Sequence, residues 1–217
     1  MDQLLENKKI AVLLETEYIP SEINYYRQHF SSLGAEVHFM SYLWNKEKMT
    51  FISDIDSADK PVKDIQTLEV SIDVSNVIVE EYEAILMAAS YCAVRLREIP
   101  PNGSFGSIEQ IGSPPAVQFF AYAMRNKYIV KGALCHALWI LTPIPDLLKG
   151  RHVTCHSVVL SDVINAGGIY YPSHVHVDDD LVTARSEANI EEYCDAITKR
   201  IIEKQKQRIY DKNKIQA

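Results

Sequence analysis

A doubly wound α/β domain is the fold this sequence predicts, and three observations predict it. Short apolar runs recur along the chain, each the length of a buried strand. Segments of helical period separate them. Glycine and proline fall between the two kinds of segment and rarely inside them. Strands alternating with helices in this way form a mostly parallel sheet covered on both faces.

The elements follow in order. Residues 9–14 are a short apolar run suited to a buried parallel strand. Pro20-Ser21-Glu22 opens a helical pattern through Tyr25, Phe30 and Leu33, with Gly34 as its stop. Val37 to Met40 is a second strand, so the chain begins with a βαβ unit. Residues 43–80 are less regular: Phe51-Ile52 and Leu68 to Asp73 read as short strands on either side of a polar loop. Ala84 to Ala88 is a central strand. Residues 100–115 hold four prolines and three glycines and predict an excursion over the surface. A helix through Val117 to Met124 then leads into a strand from Tyr128 to Leu134. Beyond it, Val153 to Cys155 predicts a short strand, Leu160 to Asn165 a helix, and Val175–Asp178 with Leu181–Ala184 a hairpin. An amphipathic helix from Ile190 to about Ile209 closes one domain spanning residues 1–217, its extension starting near residue 203.

The totals exclude several classes of function. A chain of 217 residues fits one large domain better than two small ones. Twenty-two Lys plus Arg against 29 Asp plus Glu give a net charge of −7, which opposes a broad nucleic-acid surface. The basic cluster from Lys199 to Lys214 is interrupted by Glu203 and Asp211 and reads as a solvated helix face. No run approaches the ~20 apolar residues of a membrane span, and the polar start lacks a signal-peptide pattern. Four cysteines without a CxxC pair (Cys92, Cys135, Cys155 and Cys194) fit a reducing compartment, so the cytoplasm is expected. No GxGxxG or Walker pattern occurs, and no cofactor is expected. His174, His176 and Asp178 lack a third ligand cluster, so a metal is not expected either.

The stretch Ile129 to Ile140 carries the most chemistry. An apolar strand ends at Cys135, and a helical pattern starts at once, with small residues Gly132, Ala133 and Ala137 around the junction. A nucleophile on such an elbow is held in a tight turn at the carboxyl edge of the sheet, where ligands bind in open α/β folds. A helix N-terminus there would favour thiolate. His136 is a candidate base or proton shuttle. The alternative is a cysteine that only fills space, the commoner use of a buried thiol.

From Val130 to about Ala196 the sequence resembles the ThiJ/PfpI superfamily, which includes PfpI-type intracellular proteases and the parkinsonism-associated deglycase. The resemblance rests on Ala133-Leu134-Cys135-His136, Leu148 to Thr154, Asp162 to Gly168, and Val177 to Arg185, in that order. With the N-terminal βαβ unit it covers about three quarters of the chain, leaving residues 43–75 and 98–115 poorly matched.

The resemblance implies a flavodoxin-like three-layer sandwich, a homodimer, and a carboxylic acid from the first helix bonded to the cysteine. Counting back from Gly34, that acid is Glu22; Glu15 and Glu17 have the wrong offset. His136 matches the histidine of the protease-like branch, and His156 falls where the deglycase branch has one. Two departures bear on activity. The family's Pro-Gly-Gly is Ala88-Ala89-Ser90 here, leaving Ala89 and Ser90, with Ala137, to line a pocket or oxyanion hole. Val94 stands where the protease-like branch has a histidine-orienting glutamate, which argues against proteolysis. The implied function is small-molecule chemistry or sensing at Cys135, on an aldehyde, an amide or an oxidant. The alternative is a non-catalytic ligand-binding or regulatory member.

Overall fold

The computed structural model describes residues 3–54 and 65–216, with side chains to Lys214. The polar loop expected between the strands at 52 and 67 falls largely on residues 55–64, outside the described residues.

Strand β1 (Lys9–Leu13) lies near the middle of a seven-stranded sheet. Its apolar side chains are fully buried from Ile10 to Leu13, as a strand covered on both faces requires. Helix α1 (Pro20–Ser32) starts with proline in its first turn, where no N–H is needed, and ends before Gly34, whose φ of +89° lets the chain reverse. It returns to β2 (Glu36–Ser41), parallel to β1. A hairpin of β3 (Met49–Ile52) and β4 (Thr67–Val70) stands as its own two-stranded sheet. The run expected as one strand through Asp73 is split, because only β5 (Ile72–Asp73) joins the main sheet, beside β2.

The chain then crosses to the other side of β1. Strand β6 (Ala84–Met87) pairs with β1 and, after helix α2 (Cys92–Arg95) and helix α3 (Pro115–Met124), with β7 (Val130–Leu134). Right-handed crossovers in opposite directions from β1 place α1 and α3 on opposite faces of the sheet. Residues 100–115 form exposed turns, as their prolines and glycines predict. A small ladder of β8 (His152–Val153) and β9 (Ile169–Tyr170) flanks helix α4 (Leu160–Asn165). Thr154 and Cys155 lie beyond the end of β8, which is shorter than the sequence predicts. The hairpin of β10 (Val175–Asp178) and β11 (Leu181–Ala184) completes the order β10-β11-β7-β6-β1-β2-β5, in which only β10 is antiparallel.

Helix α5 (Ile190–Gln216) packs on β7 and β11 and beside α1. It runs beyond the expected end near Ile209. Its basic residues are not simply a solvated face, which corrects the sequence reading. Lys204 is buried and bonds Asp179 at 2.8 Å, and Arg200 pairs with Asp179 and Glu203 at 2.6 Å each. The acidic turn between β10 and β11 supplies Asp179, and a sequence pattern confined to the helix does not reveal it.

Candidate active site

Three adjacent strands (β7, β6 and β1) deliver the site from their carboxyl ends. Cys135 follows β7 and takes a φ of +60°, a left-handed value rare for a residue with a Cβ. The turn is fixed on both sides: the Cys135 N–H donates to the Ala184 carbonyl at 2.8 Å, and its carbonyl accepts from His156 N–H at 3.1 Å. The elbow expected from the sequence is therefore present. The helix behind it is not. The chain forms a single 3-10 turn over Ala137–Ile140, too short to sum peptide dipoles into a useful field. Pro143 and Pro145 close behind this turn, and the missing N–H groups prevent its extension into an α-helix.

Glu22 arrives in the first turn of α1 and is fully buried. Its Oε1 accepts from the Tyr26 hydroxyl at 2.8 Å, and the Ala89 N–H donates to Oε1 at 3.0 Å and Oε2 at 3.1 Å. Burial raises its pKa to about 8, against the pull of those two donors, so the carboxyl is protonated at neutral pH. Glu22 spends its hydrogen bonds on Tyr26 and Ala89 and makes none to Cys135, although its charge is felt there. The Ala89 N–H, expected to serve an oxyanion hole, is engaged by this carboxyl. Tyr26 was invisible as a site residue except through its spacing, four positions after Glu22 on one helix face.

The thiol of Cys135 lies 3.1 Å from His136 Nδ1. Burial, then the nearby Glu22 carboxyl, pushes its pKa up to about 12, while the His136 N–H opposes the shift. His136 is moved the other way, to about 4, by burial and by the adjacent His156. The resting pair is thus a neutral thiol beside a neutral imidazole. The His136 ring is stacked between Tyr91 (centroids 5.7 Å apart) and His156 (4.7 Å), with Trp139 at 5.3 Å. The Trp139 indole is fixed by its N–H to Asp162 Oδ2 at 2.7 Å. His156 caps the following turn by accepting the Val158 N–H on Nδ1 at 3.2 Å, so its neutral ring carries the proton on Nε2.

Ser90 has a φ of +57° and donates from Oγ to Asp54 at 2.8 Å. Asp54 in turn exerts a favourable charge on the protonated form of His136. No periodicity marks Asp54 in the irregular 43–75 stretch. Val94 is an exposed residue without a carboxylate to orient a histidine, and Ala137 is buried. His176 packs its ring near His152 and Tyr171. Among the described residues no three His, Cys, Asp or Glu side chains gather as a metal site.

A mostly parallel α/β sheet with a cysteine on a left-handed strand-end turn and a buried acid from the first helix defines the class. Comparison with known proteins gives the same result. The DJ-1/PfpI family model matches residues 103–200. A protein of Staphylococcus epidermidis is 24% identical over 194 residues, 89% of this chain and 98% of its own length. Bacillus subtilis YraA, whose name offers cysteine protease as its activity, is 24% identical over 187 residues, 86% of this chain and 94% of that protein. Among solved structures, a ThiJ/PfpI domain protein from Brachyspira murdochii superposes with a TM-score of 0.70 at 15% identity, over 90% of this chain and 96% of that one. Drosophila melanogaster DJ-1beta gives 0.67 at 14% identity, over 94% and 98%. A two-domain protein from Anabaena variabilis with DJ-1/ThiJ/PfpI-like and ferritin-like domains gives 0.72 at 21% identity, over 89% of this chain; this chain spans only 48% of it. Residues 103–200 thus match the DJ-1/PfpI family, and the fold as a whole is similar to that of solved ThiJ/PfpI and DJ-1 proteins.

Proposed function

We propose that the protein performs thiol chemistry on small reactive carbonyl compounds at Cys135. The observation that carries this reading is the 3.1 Å approach of Sγ to a neutral His136 Nδ1 on a left-handed turn. A thiol this far above neutrality does not wait as a thiolate. It is deprotonated as it attacks: Sγ bonds to the aldehyde carbon, its proton passes to His136 Nδ1, and the carbonyl oxygen takes that proton back to give a hemithioacetal. Glu22, protonated, keeps negative charge away from the thiol, and His156 stacks beneath the imidazole. The Ser90 N–H and the Ala137 side are left to face the oxygen. Amide hydrolysis needs more oxyanion stabilisation than this, because Ala89 is occupied. The protease activity in the name of the Bacillus subtilis relative is therefore not carried over. We also propose a homodimer, as the resemblance implies, and a cytoplasmic location, as the four cysteines without a CxxC pair suggest.

The second reading is a non-catalytic ligand-binding or regulatory member. It is favoured by the raised thiol, the aromatic stack around His136 and the absence of a helix behind the elbow. Loss of a small α-oxoaldehyde, followed by its absorbance, separates the two. The parent should remove it in proportion to the protein present, as the hemithioacetal on Cys135, and Cys135→Ser should not. Equal rates in both proteins would leave the binding module.

A further inference from the structure

A cavity opens on the same edge of the sheet, where β1, β2 and α2 end. It holds about 140 Å³, several times the ~30 Å³ that one water occupies. Tyr42 and Trp44 form one wall, their ring centroids 4.7 Å apart and tilted by 53°, so that they make a concave aromatic corner. Leu96 contributes an apolar surface, and Glu15, Glu98 and Arg95 supply the charges.

Those charges are unbalanced. Arg95 is already paired with Glu17 at 3.0 Å. Glu98 has a backbone partner, the Gly103 N–H at 3.1 Å. Glu15, half-buried, is bonded by the N–H of its own neighbour Thr16, and burial raises its pKa despite the partial relief from Arg95. Two carboxylates, Glu15 and Glu98, therefore line the cavity beside two aromatic rings, and its one guanidinium is already committed to Glu17. Ring faces attract cations and repel anions. A carboxylate held away from water without a full counterion is completed by a cation.

We propose that this cavity binds a small organic ammonium ion, a primary or methylated amine, with its charged head between Glu15 and the Tyr42–Trp44 corner and its carbons toward Leu96. An anion would meet carboxylates on entry. A neutral molecule would leave Glu15 as it is. The site is separate from Cys135 and does not depend on the reactivity of that thiol.

Trp44 supplies the readout. With two tryptophans in the chain, the Trp139→Phe protein emits from Trp44 alone. We would titrate that full-length protein with tetramethylammonium chloride and with propylammonium chloride at constant ionic strength, using tert-butanol as the neutral control. Circular dichroism would verify that Glu15→Gln and Tyr42→Leu fold. The expected result is saturation by at least one ammonium and not by tert-butanol, with affinity falling about tenfold or more in a folded variant. Absence of saturation by both ammonium ions, an equal response to tert-butanol, or unchanged affinity in both variants would overturn the proposal.

Discussion

At Cys135 and Glu22 the same burial acts on two acids and keeps both protonated. Glu22 is shifted to about 8 and Cys135 to about 12. The direction of their coupling follows. Below the Glu22 pKa its carboxyl is neutral and does not disfavour the thiolate. Above it, the carboxylate raises the thiol further, so removing the charge should help ionisation. Iodoacetamide alkylation of Cys135, read by peptide mass spectrometry, should be slow at neutral pH and still rising at pH 9. Glu22→Gln should match the parent below about pH 7 and react several-fold faster above pH 8. A rate plateau below about pH 7.5, in the range of activated thiols, would overturn this account of the pair. The sequence leads instead to a low thiol pKa that Glu22 maintains. The difference arises because a strand-to-helix pattern implies a dipole, whereas the folded chain has one 3-10 turn and a buried thiol.

Among the elements, β7 does the most to shape the site, and Gly132 explains how. A Cβ there would collide with the Tyr193 hydroxyl and with Leu86, and would lie 3.1 Å from Ile197. The missing side chain lets α5 sit directly on the sheet under the Cys135 elbow. Gly132→Ala should therefore destabilise the protein by roughly 1–3 kcal/mol, the ordinary cost of overpacking a tight core. Urea unfolding would measure it. A neutral substitution would mean that α5 can lift without loss, and that the elbow is not held from below. The small residues around Cys135 were legible in the sequence as close packing. Their partners in α5, some 60 positions along the chain, were not.

Across the whole molecule, the two ends of the sheet do different work. The carboxyl edge holds Cys135, Glu22 and the cavity at Glu15. Near the start of β7, Lys131 is fully buried, bonded to Asp180 at 2.5 Å and to the Asn126 carbonyl at 2.9 Å. Arg151 reaches Asp178 at 2.5 Å and Asp180 at 2.7 Å, while Lys204 and Arg200 hold Asp179. The turn between β10 and β11 thereby locks the sheet, the segment before β8 and α5 together. Burial lowers the Lys131 pKa to about 8 even with Asp180 beside it. Asp180→Asn would strand Lys131 without its charge, at a cost of about 3–5 kcal/mol in chemical unfolding at pH 7. A loss well under 1 kcal/mol would mean that Lys131 deprotonates or reaches water instead.

Local pattern alone determined much of this protein. Apolar runs placed the central strands within a residue or two, the Pro20 and Gly34 signals bounded α1, and the hairpin at 175–184 was fixed by its alternation around Asp179-Asp180. These signals are local because strand burial and turn chemistry act over a few residues. Cys135 and Glu22 were legible through the resemblance and their spacing. The tertiary structure alone decided what those residues are like: that Tyr26 and Ala89 take the Glu22 carboxyl, that Tyr91 and His156 stack on His136, and that Asp54 anchors Ser90. It also decided that the basic stretch of α5 is partly buried and paired. Desolvation and hydrogen-bond partners depend on which distant segments meet, and no single stretch of sequence contains that information.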